Sequence, residues 1–225
     1  LSIISIFFYV YGSSLKNSFY KVENKTIDYK LRIIGSNITL DRFYSNTNTV
    51  SVIKDLIKLS SPDSSEKMIF VWPEGILPDI SQEELKQYSS LFHQNFNENH
   101  LFVIGINNKV INLGSVDYFN SLSVYDYELN VLNSYNKINL VPFGEFLPFE
   151  NIFKVIGLKP LTNSYQSFSK GKTREVIEIE LQNSTIKILP LICYEIIYSG
   201  KLFNNSNFDF IINISEDGWF GRSIG

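Results

Sequence analysis

The sequence predicts an α/β layered domain, on three observations. Short continuous apolar runs, MIFVW at 68–72 and LFVIGI at 101–106, have the length and composition of strands buried on both faces. Segments with apolar residues at helical spacing, 46–60 and 81–99, are interleaved with them. The tract 116–134 alternates as a hairpin does. Strands exchanging with helices, with hairpins added, describe sheets layered with helices. A chain of 225 residues, 44% hydrophobic and 15% aromatic, can bury one large core.

In chain order, the opening LSIISIFFYVYG is as apolar as a membrane span but about half the roughly 20 residues a bilayer requires. It lacks the basic start and small-residue cleavage site of a signal peptide. Two readings stand: a buried element of the core, or the outer half of a transmembrane helix. The second is preferred because the polar run GSSLKNS follows at once. Residues 1–26 are therefore expected to be the end of a transmembrane segment plus a linker, and the start at Leu1 and the ending RSIG point to a piece of a longer protein. IDYKLRIIGSNI, 27–38, reads as a strand. In 46–60, Val50, Ile53, Ile57 and Leu59 mark a helix. MIFVW ends at Pro73, as a buried strand would. Ser81 and Glu84 have capping-box spacing ahead of a helix carrying Leu85, Tyr88, Leu91, Phe92 and Phe96. The 116–134 hairpin turns at Asp126–Glu128, and strands follow at 174–181, 185–193 and 208–215, with a helix over 195–203.

Charge and composition exclude several functions. A net charge of −3 leaves no basic surface for nucleic acid. One cysteine forbids an internal disulfide, and with only two histidines it makes a Cys/His metal site improbable; no metal or organic cofactor is implied.

Three apolar strands end on a residue with reactive potential: Glu74 after MIFVWP, Lys137 after the hairpin, and Cys193 after TIKILPLI. Strand ends are where α/β folds assemble sites, because rigid strands fix side chains beside open loops. Each has an ordinary alternative. Free cysteine is among the most buried residue types, Glu74 can cap a turn, and Lys137 can be solvated. Together they can do chemistry. A thiol of pKa ~8.5 needs a base or a nearby positive charge. His93 and His100 fall in or just after the 81–99 helix, among surface residues, so a Cys/His pair is disfavoured. Glu74 can take the thiol proton, and Lys137 can hold the oxyanion of a tetrahedral intermediate.

VWPEGILP (71–78), NKINLVPFGEFLPF (136–149), LICYE (191–195) and NISEDGWFG (213–221) together resemble the nitrilase superfamily with its Glu-Lys-Cys triad. LVPFGEFLPF and DGWFG resemble, more narrowly, the apolipoprotein N-acyltransferases. The resemblance implies a nitrilase-like αββα sandwich over 27–225, truncated at its C-terminal end, with the membrane-embedded part largely outside this sequence. It implies Glu74 as general base, Lys137 as electrostatic stabiliser and Cys193 as nucleophile, with Glu145, Tyr194 and Glu195 in support. Glu216 departs from it, standing where the family commonly has asparagine.

The aromatic load suits a lipid. Phe143, Phe146, Phe149, Phe153, Tyr194, Trp219 and Phe220 flank the motifs, and at least half of these rings are expected in the core. The segment 150–161 is apolar enough for a membrane-facing arm, with Ile152, Phe153, Ile156 and Leu158 as lipid contacts; Phe146 and Trp219 complete the expected substrate-binding set. The resemblance implies transfer of an acyl chain from a phospholipid donor to the N-terminal amine of a diacylglyceryl apolipoprotein through a cysteine thioester, at the bacterial inner membrane with the catalytic domain on the periplasmic side. Two rival readings are a soluble nitrilase-type amidase and a non-catalytic envelope domain.

Overall fold

The structure is a computed structural model, which describes residues 2–20, 27–36, 48–112, 114–148, 167–181, 184–198, 207–216 and 218. Helix α1 (Ser2–Tyr20) stands first. It includes GSSLKNS, which was expected as linker, and it exposes Ile3, Ile4, Ile6, Phe7, Phe8 and Tyr9. Among the described residues no helix is long and apolar enough to cross a membrane.

The described residues that follow form two sheets. The first has the order β1-β2-β3-β4-β5, from β1 (Lys30–Ile33), β2 (Met68–Trp72), β3 (His100–Asn112), β4 (Ser115–Tyr125) and β5 (Val131–Asn136). β1, β2 and β3 run parallel; β3, β4 and β5 form an antiparallel meander. The second sheet has the order β6-β7-β8, from β6 (Ile177–Glu180), β7 (Thr185–Ile192) and β8 (Phe210–Ile214). The fold is nitrilase-like and of the α/β class.

Side-chain alternation explains why β2 reads as an unbroken apolar run. Met68, Phe70 and Trp72 face α2 (Thr49–Ser60) and the aromatic cluster of Phe92, Phe96 and Phe102. Ile69 and Val71 face the other way, into the core between the sheets, against Ile188, Ile192, Ile212 and Ile214. The strand is covered on both faces, so neither needs a polar residue. Trp72 still finds a partner for its indole N–H in Ser60 Oγ, at 3.0 Å. Asn48 starts α2 by accepting from the Val50 N–H, and Ser61 ends it in the left-handed region at φ 39°.

Several elements differ from expectation. Of the strand expected over 27–38, the described residues 27–36 form a strand at Lys30–Ile33, and 37–38 lie outside the described residues. The 81–99 helix is a 3-10 helix (Glu84–Tyr88) followed by the single-turn α3 (Ser89–His93). Ser81 and Glu84 do pair, both the N–H and the hydroxyl of Ser81 donating to the Glu84 carboxylate. At the end of α3 the Asn95 side chain takes a backbone partner of the helix, its Nδ2 donating to the Leu91 carbonyl, and beyond it Asn97 and Asn99 both donate to Ser64 O. His100 is not a surface residue. It opens β3 fully buried, its Nδ1 accepting from the Asn97 N–H and its Nε2 3.0 Å from Asp63 O. Of the helix expected over 195–203, the described part lies in a 3-10 helix at Cys193–Tyr198, and 199–203 lie outside the described residues. Residues 149–166, with Phe149 and the expected lipid contacts Ile152, Phe153, Ile156 and Leu158, lie outside the described residues, as do Trp219 and Phe220.

Candidate active site

The site forms where strands of both sheets end. β2 runs into Pro73 and Glu74, and Gly105 of β3 makes room for that turn: a Cβ at Gly105 would stand 2.5 Å from Glu74 Cα and Pro73 O. β5 ends at Asn136 and delivers Lys137, whose carbonyl accepts from the Gly171 N–H at 2.9 Å. A Cβ at Gly171 would lie 2.1 Å from Asn136 O, so only glycine permits this approach. β7 ends at Ile192, and Cys193 turns out of it at φ 54°, a left-handed conformation that costs a non-glycine residue of order 1–3 kcal/mol and clusters at functional sites.

Three of the expected residues meet directly. Lys137 Nζ lies 3.2 Å from Glu74 Oε1 and 3.0 Å from Glu145 Oε1, with 1% of its side chain exposed. Its ring neighbour is Tyr194, 5.9 Å from Nζ to centroid. Tyr194 is oriented by donating its hydroxyl to the Leu140 carbonyl. Burial pulls the Lys137 pKa down, but the charges of Glu74, Glu145 and Cys193 outweigh it and push it up to about 12. Lys137 is therefore an ammonium at any physiological pH.

The two carboxylates are not equivalent. Glu145 engages both oxygens: Oε1 accepts from Asn120 and Lys137, and Oε2 from the Val141 N–H at 2.8 Å. Glu74 uses Oε1 alone, accepting from Asn120 at 2.7 Å and Lys137. Its second oxygen carries no described hydrogen bond, which suits a base better than an orienting group. The Cys193 thiol is pushed up, first by burial and next by the charge of Glu74, while Lys137, the Ser215 hydroxyl and the Tyr194 backbone N–H oppose the rise. The thiol therefore rests protonated at neutral pH and needs a base to ionise it, and the carboxylate whose charge acts on it is Glu74.

Glu195 does not enter the site. It lies fully buried behind it, accepting from Tyr135 Oη, the Ile138, Asn139 and Ile192 N–H groups, and Arg174 Nη2 at 2.7 Å. Its carboxylate thereby ties the end of β7, which bears Cys193, to the loop that follows Lys137. Phe146 is half-buried beside Glu145, its carbonyl accepting from the Phe143 N–H. Glu216 is buried and caps the Gly218 N–H at 2.8 Å. A groove of about 460 Å³ lined by Val110, Asp117, Tyr135, Lys170 and Lys172 contains none of Glu74, Lys137 or Cys193, so chemistry rather than volume locates the site.

Sequence reasoning missed Asn120. Its side-chain nitrogen donates to Glu74 and Glu145 at once, and its carbonyl accepts from the Lys137 N–H at 2.9 Å. Asparagine is depleted in strand interiors, so one in the middle of β4 was the available signal. Arg174 and Tyr135, the partners of Glu195, carried no comparable signal.

A carbon-nitrogen hydrolase family model matches residues 65–225. An apolipoprotein N-acyltransferase of Bradyrhizobium diazoefficiens is 30% identical over 87% of this chain and 38% of its own length. One of Wigglesworthia glossinidia brevipalpis is 32% identical over 92% of this chain and 40% of its own. The chain thus spans about two fifths of the curated relatives it matches. Among solved structures, an amidase from Nesterenkonia sp. AN1 aligns with TM-score 0.47 at 12% identity, covering 82% of this chain and 66% of that one. The family match rests on sequence.

Proposed function

The chain belongs to the carbon-nitrogen hydrolase family, and from that premise we propose that it transfers an acyl chain from a phospholipid to the N-terminal amine of a diacylglyceryl-cysteine apolipoprotein. The observation that carries this reading is one buried lysine held between two glutamates beside a cysteine on a strained strand end. The names of the relatives supply the acyltransferase direction.

In the first step the Cys193 proton passes to Glu74 Oε2 and the thiolate attacks the ester carbonyl. Lys137 faces the oxyanion that forms. The C–O bond breaks, the departing lysophospholipid oxygen takes the proton from Glu74, and a thioester remains. In the second step the apolipoprotein amine attacks the thioester carbonyl, gives its proton to Glu74, and expels the Cys193 thiolate, which takes that proton from Glu74 and restores the resting thiol. Glu145 and Tyr194 keep Lys137 in place, and Glu195 fixes the turn that bears Cys193. Phe146, together with Phe153, Ile156 and Trp219, is assigned to the lipid chains. The reading places the reaction at the bacterial inner membrane, with the catalytic domain on the periplasmic side.

The test is full-length protein incubated with labelled phospholipid. The expected product is an acyl group bound to Cys193, discharged by an apolipoprotein amine and absent in Cys193→Ala. An acyl group that leaves only to water would overturn the transferase reading. Unchanged transfer in Cys193→Ala would overturn the nucleophile.

A further inference from the structure

β7 and β8 run parallel and their last pair is Ile192↔Ile214. The next residue of each strand, Cys193 and Ser215, therefore leaves the sheet side by side. Ser215 Oγ stands 3.7 Å from Cys193 Sγ, within the reach of an O–H···S hydrogen bond. Ser215 is also held stiffly. Behind it lies β8, and ahead of it the buried Glu216 closes a turn onto the Gly218 N–H.

We propose that Ser215 is a further catalytic residue, its hydroxyl donating to the Cys193 sulfur and stabilising it as thiolate both when it attacks and when it departs. This rests on Cys193 being the nucleophile. Neutral sulfur is a weak acceptor and a thiolate a charged one, so the same contact strengthens on ionisation and weakens again in the thioester. The hydroxyl thus favours the charged state that lies between two neutral ones. No bond is made or broken at Ser215, and the thiol proton goes to Glu74. Of the groups facing the sulfur, Glu74 opposes the negative charge, while Lys137 and the Tyr194 backbone N–H favour it alongside Ser215. Glu145 is engaged by Lys137, Asn120 and Val141, and Glu195 is turned to Arg174. Ser215 is the donor in this set that comes from β8.

The experiment is the rate of Cys193 alkylation by iodoacetamide in the full-length protein as a function of pH, which requires neither lipid nor apolipoprotein. Ser215→Ala should alkylate about three- to tenfold more slowly at pH 7, as the loss of one modest hydrogen bond to a charged group predicts, with its pH midpoint moved up. Ser215→Thr and Ser215→Val have one shape and differ by the hydroxyl, so they decide the matter even where Ala perturbs the turn. Thr should keep the midpoint of the unmodified protein and Val should move it up, as Ala does. Coincident profiles for Thr and Val, or an Ala profile equal to the unmodified protein, would overturn the inference. Inertness of Cys193 in the unmodified protein at every pH would strike the nucleophile assignment itself.

Discussion

At Asn120 a single amide nitrogen serves two carboxylates that compete for one ammonium. Removing it leaves the Oε1 atoms of Glu74 and Glu145 sharing Lys137 alone, so Asn120→Ala should slow thioester formation by about tenfold or more, the scale of hydrogen bonds to charged groups. Asn120→Asp should be worse, because it adds a third carboxylate to the pair. Single-turnover acylation checks both, and an Asn120→Ala rate equal to the unmodified protein would show the carboxylates to be held by Lys137 without it. Glu74→Gln cannot accept the thiol proton and should lower the same rate at least about 10²-fold. Lys137→Arg should not rescue Lys137→Ala, since the buried slot fits a compact ammonium and not a planar fork. Glu74, Lys137 and Cys193 were singled out because reactive residues at the ends of apolar runs stand out, and Glu145 came in only with the family resemblance; the structure sets Lys137 between the two glutamates. Asn120 and Ser215 were not, since their contacts arise only when β2, β4, β7 and β8 are placed together.

Among the elements, the strands buried on both faces were the most readable: MIFVW is a strand over the span its composition predicts. β3 was underestimated because its second half, NNKVIN, is polar and partly exposed, yet it pairs with β4 down to Asn112↔Ser115. Pro190 did not spoil β7, because the ladder to β6 has already ended at Ile177↔Ile188. β3 also carries a prediction. Gly105→Ala puts a methyl group 2.5 Å from backbone atoms of Pro73 and Glu74, which cannot swing aside as a side chain would. It should cost roughly 1–3 kcal/mol and lose more activity than stability, because the displaced residue is the base. Gly35→Ala, with nothing within 4 Å, is the control and should stay within about 0.5 kcal/mol. Equal melting curves for the two variants would refute the packing argument. At the start of the same strand, burial holds the His100 pKa below its ordinary value, although Asp63 and the other groups around it act upward. The unfolded chain then binds a proton that the folded one refuses. Stability should be full above pH ~6.5 and decline as the pH falls below it, and His100→Gln should flatten that decline in a melting series.

In the whole molecule, two sheets share one core, and at the catalytic end something must fix how they meet. The apolar contacts of Ile69, Val71, Leu122 and Val124 with Ile188, Ile192 and Ile214 hold the sheets together but are non-directional. Glu195 supplies direction. It leaves the second sheet after β7 and accepts from Tyr135 of β5, from the backbone of Ile138 and Asn139 just past Lys137, and from Arg174 at the approach to β6. Every neighbour is a donor, so no neutral substitute suits the position. Glu195→Gln turns an amide NH₂ toward N–H and O–H groups, and Glu195→Ala leaves Arg174 buried without its partner. Breaking a buried pair in this way costs about 3–5 kcal/mol, which for a domain of this size lowers the melting temperature by roughly 6–20 °C. Arg174→Met should cost less, since four donors, the Tyr135 hydroxyl and three backbone N–H groups, still reach the carboxylate. The discriminating measurement is hydrogen exchange in the full-length protein. If Glu195 fixes the relation of the sheets, Glu195→Gln should expose the Ile138, Asn139 and Ile192 amides together and slow Cys193 alkylation, while the Phe70 and Phe102 amides on the helix-covered strands keep their protection. Uniform loss of protection across both sheets would instead make Glu195 an ordinary contributor to stability, and the alignment of Lys137 with Cys193 would then have to come from the apolar core.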